Sequence, residues 1–163
     1  MVIEQTLVLI KPDGLKRGLV GEIITRIERT GLKIIAMKMI WPDKKFAEQH
    51  YFDVEERHGK KVLDNLTGYL TAGPVLAICF EGVDAISLVR KIAGPTYPNE
   101  APPGTIRGDF CHISKIHANE NNQVVGNLIH ASAGIEDAKK ELSLWFTKKE
   151  MHSYKRTDEE HVW

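Results

Sequence analysis

The chain predicts an α/β (α+β) fold: a ferredoxin-like split β-α-β sandwich, in which a four-stranded antiparallel sheet carries added helices. Three observations lead there. Short apolar runs of strand length alternate with stretches whose apolar residues recur at helical spacing. Their order along the chain is strand, helix, strand, helical hairpin, strand, helix, strand, helix. The length of 163 residues, with 42% apolar content, suffices for one compact domain with a real core. A doubly wound parallel sheet is the competing topology, because alternation alone does not set strand order.

The first strand, residues 4–10, is rich in β-branched residues and leucine and stops at Pro12-Asp13-Gly14, a turn signature. Leu19, Val20, Ile23, Ile24 and Ile27 then mark a helix that Gly31 ends. Residues 32–40 form the second strand, and Asp43 is placed to cap a helix carrying Phe46, Ala47, His50 and Tyr51. Val62, Leu63, Leu66, Tyr69 and Leu70 give the second helix of the hairpin. Residues 75–80 form a strand apolar enough for burial on both faces, and residues 82–92 a helix. The proline-rich stretch 94–104 is an irregular loop, 106–113 reads as the fourth strand, and 114–123 as a polar surface loop. Ile135, Ala138, Leu142, Trp145 and Phe146 mark the last long helix, with Gly134 at its cap. We expect a surface insertion at about 111–125, and a charged, solvated tail from about 147 that wraps the surface.

Composition narrows the partners. Lysine plus arginine (22) equals aspartate plus glutamate (22), so no global field favours nucleic acid or an anionic membrane. Cys79 and Cys111 form no C-x-x-C pair and read as buried thiols of a reduced compartment, with a disulfide as the alternative. Neither a leader pattern nor an apolar run of spanning length occurs, so the expected location is cytoplasmic.

No phosphate-binding G-x-x-x-x-G-K-[ST] loop and no protein-kinase catalytic loop is present; Gly108-Asp109-Phe110 has the letters of the kinase metal triplet in the wrong order. A phosphate site must therefore be built from side chains and a divalent cation. Lys11 follows the first strand, Arg90 sits late on a helix, Thr96 lies in the proline-rich loop, and Arg107 stands between Gly104 and Gly108. Arginine suits phosphate because its planar fork donates two parallel hydrogen bonds, while lysine acts as a point charge. His130 ends an apolar run, with Asn127 three residues earlier and small residues at 131–134 that leave its ring uncrowded. Imidazole is neutral and nucleophilic near physiological pH, so this is a candidate nucleophile. Each residue also has a plain reading: Tyr51 as core, Asn127 as a turn residue, Glu141 as an exposed helix position. Cys111, His112 and His117 invite a zinc reading, but their spacing is wrong and a fourth ligand is missing.

Three segments, 6–14 (TLVLIKPDG), 104–110 (GTIRGDF) and 126–132 (GNLIHAS), together resemble the nucleoside diphosphate kinase family, and the similarity spans residues 6 to about 146. The resemblance implies a two-step exchange in which His130 takes the γ-phosphoryl group of a nucleoside triphosphate, typically ATP, and passes it to a nucleoside diphosphate. It implies that Glu141 holds the non-attacking ring nitrogen and that Tyr51 contacts the transferring group. Arg90, Thr96 and Arg107 would hold the β and γ phosphates, Lys11 and Asn127 the ribose 3′-hydroxyl, and Lys11 the phosphates as well. Mg2+ would bridge the phosphates, with Asp53 a water-mediated ligand, and Val62 would line the base slot. It further implies a homo-oligomer, a hexamer or a tetramer. Two departures stand out: Ala133 replaces the usual aspartate, and the usual base-stacking phenylalanine is missing after Tyr51. They motivate an alternative, a nucleotide-binding regulatory or scaffold protein with little turnover.

Overall fold

The computed structural model describes residues 3–163. Its strands are β1 (Ile3–Ile10), β2 (Lys33–Ile40), β3 (Val75–Val83) and β4 (Ile129–Ala131), arranged in the order β2-β3-β1-β4. Every neighbouring pair is antiparallel. The split β-α-β expectation therefore holds, and the parallel alternative is excluded. β1 and β3 occupy the centre, and Leu7 to Ile10 are wholly buried.

Side chains alternate across a strand, so β1 feeds two cores. Val8 and Ile10 pack with Ile23 and Ile27 of α2 (Val20–Glu28) and with Val89 of α6 (Ala85–Ala93). Leu7 and Leu9 face the other layer, with Ala47 of α3 (Lys44–His50), Leu70 of α5 (Lys60–Leu70), and Leu142 and Trp145 of α9 (Ile135–Trp145). Each fully buried side chain of this kind contributes about 1.5–3 kcal/mol of transfer free energy. Asp43 caps α3 as its sequence suggests, its carboxylate accepting from the Phe46 amide. Gly31 lies in the left-handed region, φ 91°, at the turn after α2.

Four local expectations are corrected. Pro12-Asp13-Gly14 opens a short helix, α1 (Pro12–Lys16), because proline suits the first helical position. Residues 54–58 add α4 (Val54–His58) within the hairpin. The predicted fourth strand is instead α7 (Ile106–Phe110): Thr105 caps it by accepting from the Gly108 amide at 3.0 Å, and Ile106 and Phe110 fall on one helical face. Gly108 passes so close to the Pro102 carbonyl that any Cβ would collide with it. The polar loop beyond contains α8 (Lys115–Glu120), capped by Ser114. The true fourth strand is the three-residue segment around His130, which pairs with Val8 to Ile10.

The charged tail wraps the surface as expected and stays largely exposed, but it is also tied down. It runs along the outer edge of β2, where the His152 amide donates to the Ile35 carbonyl (2.8 Å) and the Tyr154 hydroxyl to that of Ile34 (2.8 Å). Arg156 donates to the Leu32 carbonyl (3.1 Å). The chain ends in α10 (Glu159–Val162), followed by Trp163, whose indole donates to the Gly31 carbonyl.

Candidate active site

The site forms where the end of β1 lies beside the start of β4. Leu128, wholly buried, sits in the left-handed region at φ 65°, a conformation costing a side-chain-bearing residue about 1–3 kcal/mol. Flanking bonds hold it there. The Lys11 amide donates to the Leu128 carbonyl (2.8 Å), and the Leu128 amide donates to the Asp13 carboxylate (3.1 Å). With the chain so turned, the Asn127 amide group is tied down: its Nδ2 donates to the Thr96 carbonyl (3.0 Å), and its Oδ1 accepts from Lys11 Nζ (2.7 Å). Three residues after Asn127, β4 delivers His130 opposite Leu9.

His130 is oriented from behind. Its Nε2 and Glu141 Oε1 are 2.8 Å apart, and the second carboxylate oxygen accepts from the Ser132 hydroxyl at 2.6 Å. Glu141 projects from α9 and is buried, so two partners satisfy a carboxylate that would otherwise be costly there. An anionic carboxylate accepts, so Nε2 carries the proton and Nδ1 is left with a lone pair. Ser132 also ties β4 to β1, taking a hydrogen bond from the Leu7 amide.

Arg107 is both strut and donor. Its guanidinium donates to the carbonyls of Asn127 (3.2 Å), Gly94 (2.7 Å) and Ile129 (2.6 Å), which uses three of the five N–H groups an arginine has. Burial and the neighbouring Arg90 pull its pKa down to about 10. Lys11 feels the same environment more strongly: burial and then Arg107 lower it to about 7, against a smaller opposing pull from Asp13. Burial and then Glu141 raise the Tyr51 hydroxyl well above its ordinary value, so it stays a protonated donor.

These groups share one cleft of about 470 Å³. Lys11, Tyr51, Arg90, Thr96, Arg107, Asn127 and His130 all line it, together with Ala133. It contains three cationic side chains and no carboxylate, the electrostatics of an anion site. A larger cavity of about 650 Å³ lies elsewhere and is mainly apolar, so size alone would mislead. Val62 and Asp53 do not line the cleft. Val62 is exposed in the first turn of α5, and Leu66, one turn later, is the residue that reaches the wall. Asp53 is engaged by Arg57 at 2.9 Å, the i,i+4 pair of α4. Asp13, Ser132 and His50 carry structural duties that the sequence reading missed; Asp13 read as a turn and His50 as part of an apolar stripe.

Two metal readings can be weighed. Ring nitrogens of His50 and His130 and a Glu141 oxygen lie within 4.8 Å of one another. The groups offer a metal little, however: Trp145 Nε1 donates to His50 Nδ1 (3.2 Å), so the unpartnered Nε2 carries the ring proton and has no lone pair to give, and His130 Nε2 and Glu141 hold each other. This cluster does not fit a resident metal. Mg2+ is different, because it prefers oxygen ligands and usually takes several from water and substrate phosphates. A cleft lined by cations and free of carboxylate fits a magnesium ion that arrives with its nucleotide.

Comparison with known proteins agrees with this geometry. Residues 4–151 match the family model described as nucleoside diphosphate kinase. The nucleoside diphosphate kinase of Borreliella burgdorferi is 44% identical over 161 residues, covering 98% of this chain and 96% of that protein. A solved structure of the Borrelia burgdorferi enzyme, a transition-state mimic with bound vanadate and ADP, superposes with a TM-score of 0.94 at 43% identity, covering 98% of this chain and 96% of that one. The Halobacterium salinarum enzyme in complex with CDP gives 0.86 at 36% identity, with 99% of both chains covered. This chain belongs to the nucleoside diphosphate kinase family.

Proposed function

We propose that this nucleoside diphosphate kinase works by ping-pong exchange through Nδ1 of His130. The Nδ1 lone pair attacks the γ-phosphorus of a nucleoside triphosphate, and the bond from that phosphorus to the β-phosphate oxygen breaks. The departing oxygen keeps the electron pair and the diphosphate leaves. The phosphorylated ring is a cation balanced by the Glu141 carboxylate at Nε2, so no proton has to move. A terminal oxygen of the acceptor diphosphate then attacks the same phosphorus and frees Nδ1.

One observation carries this reading: His130 lines a cationic cleft while its Nε2 is held at 2.8 Å by a buried carboxylate. The remaining groups take supporting roles. Arg90, Thr96 and the spare N–H groups of Arg107 hold the β and γ phosphates. Tyr51 donates to the transferring group, and Lys11 and Asn127 hold the ribose 3′-hydroxyl. Mg2+, when bound with the nucleotide, neutralises phosphate charge; Asp53 would have to leave Arg57 to reach it through water. Broad base tolerance follows, since no polar side chain is assigned to the base and Leu66, in place of the expected Val62, offers only apolar contact.

The full chain acts as one nucleotide-handling domain with no role for nucleic acid, in keeping with its zero formal charge. A homo-oligomer, hexamer or tetramer, is supported by the exposed Met37, Met39 and Trp41 along and just beyond β2. A cytoplasmic location is consistent with the unpaired thiols Cys79 and Cys111.

The deciding experiment incubates the protein with γ-labelled ATP and magnesium, without acceptor. Acid-labile, base-stable label should form and vanish when a nucleoside diphosphate is added. His130→Ala should carry none; label retained in that variant places the nucleophile elsewhere.

A further inference from the structure

β4 covers only part of its side of β1. Its three residues pair with Val8, Leu9 and Ile10, and at Ser132 the chain turns away toward α9. Beyond that point β1 continues outward through Gln5 to Ile3.

The direction of the open backbone follows from register. The Ser132 amide donates to the Leu7 carbonyl, and the Lys11 amide to the Leu128 carbonyl, so odd-numbered residues of this strand turn their N–H and C=O toward β4. Gln5 and Ile3 share that parity. Their main-chain groups face the place where a longer β4 would lie, and no described residue pairs with them there.

That place is a slot, not flat surface. It is the cavity of about 650 Å³ noted above, floored by Ile3 to Gln5. Ile86 of α6 forms one wall, and Ile135 and Leu142 of α9 form the other, joined by Phe146. It shares no lining residue with the cationic cleft. A helix bonds its backbone groups internally and has none to offer a strand edge. An extended chain satisfies the edge and sends alternate side chains toward the two apolar walls. The charges on its lining also select. Glu4 is turned inward to accept from the Ile86 amide at 3.1 Å. Lys148 has no carboxylate partner among the described residues, and Lys139 holds only the solvent-facing Glu136.

We propose that this slot is a strand-addition site for an extended segment of a partner protein, in which apolar residues alternate with polar ones that include an acidic residue facing Lys148. The occupant continues β4 along β1 and completes the edge that Ser132 leaves open.

The test uses a fluorescein-labelled, end-blocked hexapeptide of alternating valine and glutamate, titrated against the full-length protein by anisotropy at low salt. Saturable binding is expected, with slowed amide exchange at Gln5. Methylating the backbone nitrogens that face β1 should weaken binding about tenfold or more, since main-chain bonds carry it. Ile135→Glu should weaken it similarly, because it places an anion on an apolar wall; Ile135 is half exposed, so the fold and phosphoryl exchange should be unchanged. Lys148→Glu should also weaken it. Three results would overturn the proposal: no saturable binding at millimolar peptide, equal binding of the methylated peptide, or no change at Gln5. Gln5 protection that rises with protein concentration in the absence of peptide would overturn it too, by assigning the slot to a second copy of this chain.

Discussion

Lys11 and Lys33 are both buried, with 7% and 4% of their surface exposed, yet they have opposite surroundings. Lys33, on β2, lies in the clasp that holds the tail. It reaches Glu159 at 3.0 Å, Glu81 at 3.2 Å and the Tyr154 carbonyl at 2.8 Å, and its ammonium lies 4.4 Å from the Trp163 ring centre. Burial pulls its pKa down, but the bonds to Glu159 and Glu81 outweigh that and leave it raised. Lys11, at the cleft, has the neutral amide of Asn127 as its partner and Arg107 as a repelling neighbour, and its pKa falls to about 7. The clasp lysine is satisfied by the protein itself. The cleft lysine is left short of negative charge, which the phosphate of the proposed reaction would supply. Stability is thereby spent where the ligand binds and recovered where the tail docks.

The largest effect should come from removing the unsatisfied charge. Lys11→Met should lower kcat/KM for exchange by about a hundredfold to a thousandfold, the range for one preorganised electrostatic donor. The same change should raise Tm by a few degrees at neutral pH. The sign follows from linkage: between pH 7 and 10.5 the unfolded chain holds a proton on Lys11 that the folded chain lacks, so wild-type stability rises with pH across that window. Lys11→Met should lose that slope, and a slope that persists would assign it to another group.

Glu141 sharpens the contrast, as a buried charge behind the cleft that is already satisfied. Glu141→Gln should cost about a hundredfold in kcat, because an amide can favour the wrong ring tautomer. Phosphohistidine formation in single-turnover mixing should slow to match, and an unchanged rate would remove Glu141 from the chemistry. Lys33→Met should do the reverse of Lys11→Met: exchange unchanged, Tm lower, and the segment after Thr147 cut faster by protease. Loss of exchange in that variant would tie the clasp to the cleft and erase the division between them. The smallest effect is expected for Ala133→Asp. Gly134 caps α9 with no side-chain bond, and a carboxylate beside it should favour the helix by about 0.3–1 kcal/mol. Thermal melts should show a rise of a degree or two.

Much of this was legible in the chain. The β-branched runs marked β1, β2 and β3, and the apolar rhythm of Ile23 and Ile27 marked α2. Of the expected site residues, the structure gathers Lys11, Tyr51, Arg90, Thr96, Arg107, Asn127 and His130 around one cleft, with Glu141 behind it. β4 escaped because three residues are too few for periodicity to speak. Residues 106–113 misled because Ile106 and Phe110 serve a helical face as well as a strand, and the capping role of Thr105 was the overlooked signal. Asp13 went unseen because its task is to hold Leu128, 115 positions away. The docking of the tail went unseen because its charges find their partners on β2, far off in the sequence.

Local pattern was enough for the longer helices, the three long strands and a candidate nucleophile. Those depend on spacing within a few residues, or on groups whose reactivity is intrinsic. Folding alone decided which ring nitrogen is free, which lysine is left without a counter-charge, and which edge of β1 stays open. Each of these depends on distance and burial between groups far apart in the chain, and spacing along the sequence does not encode them.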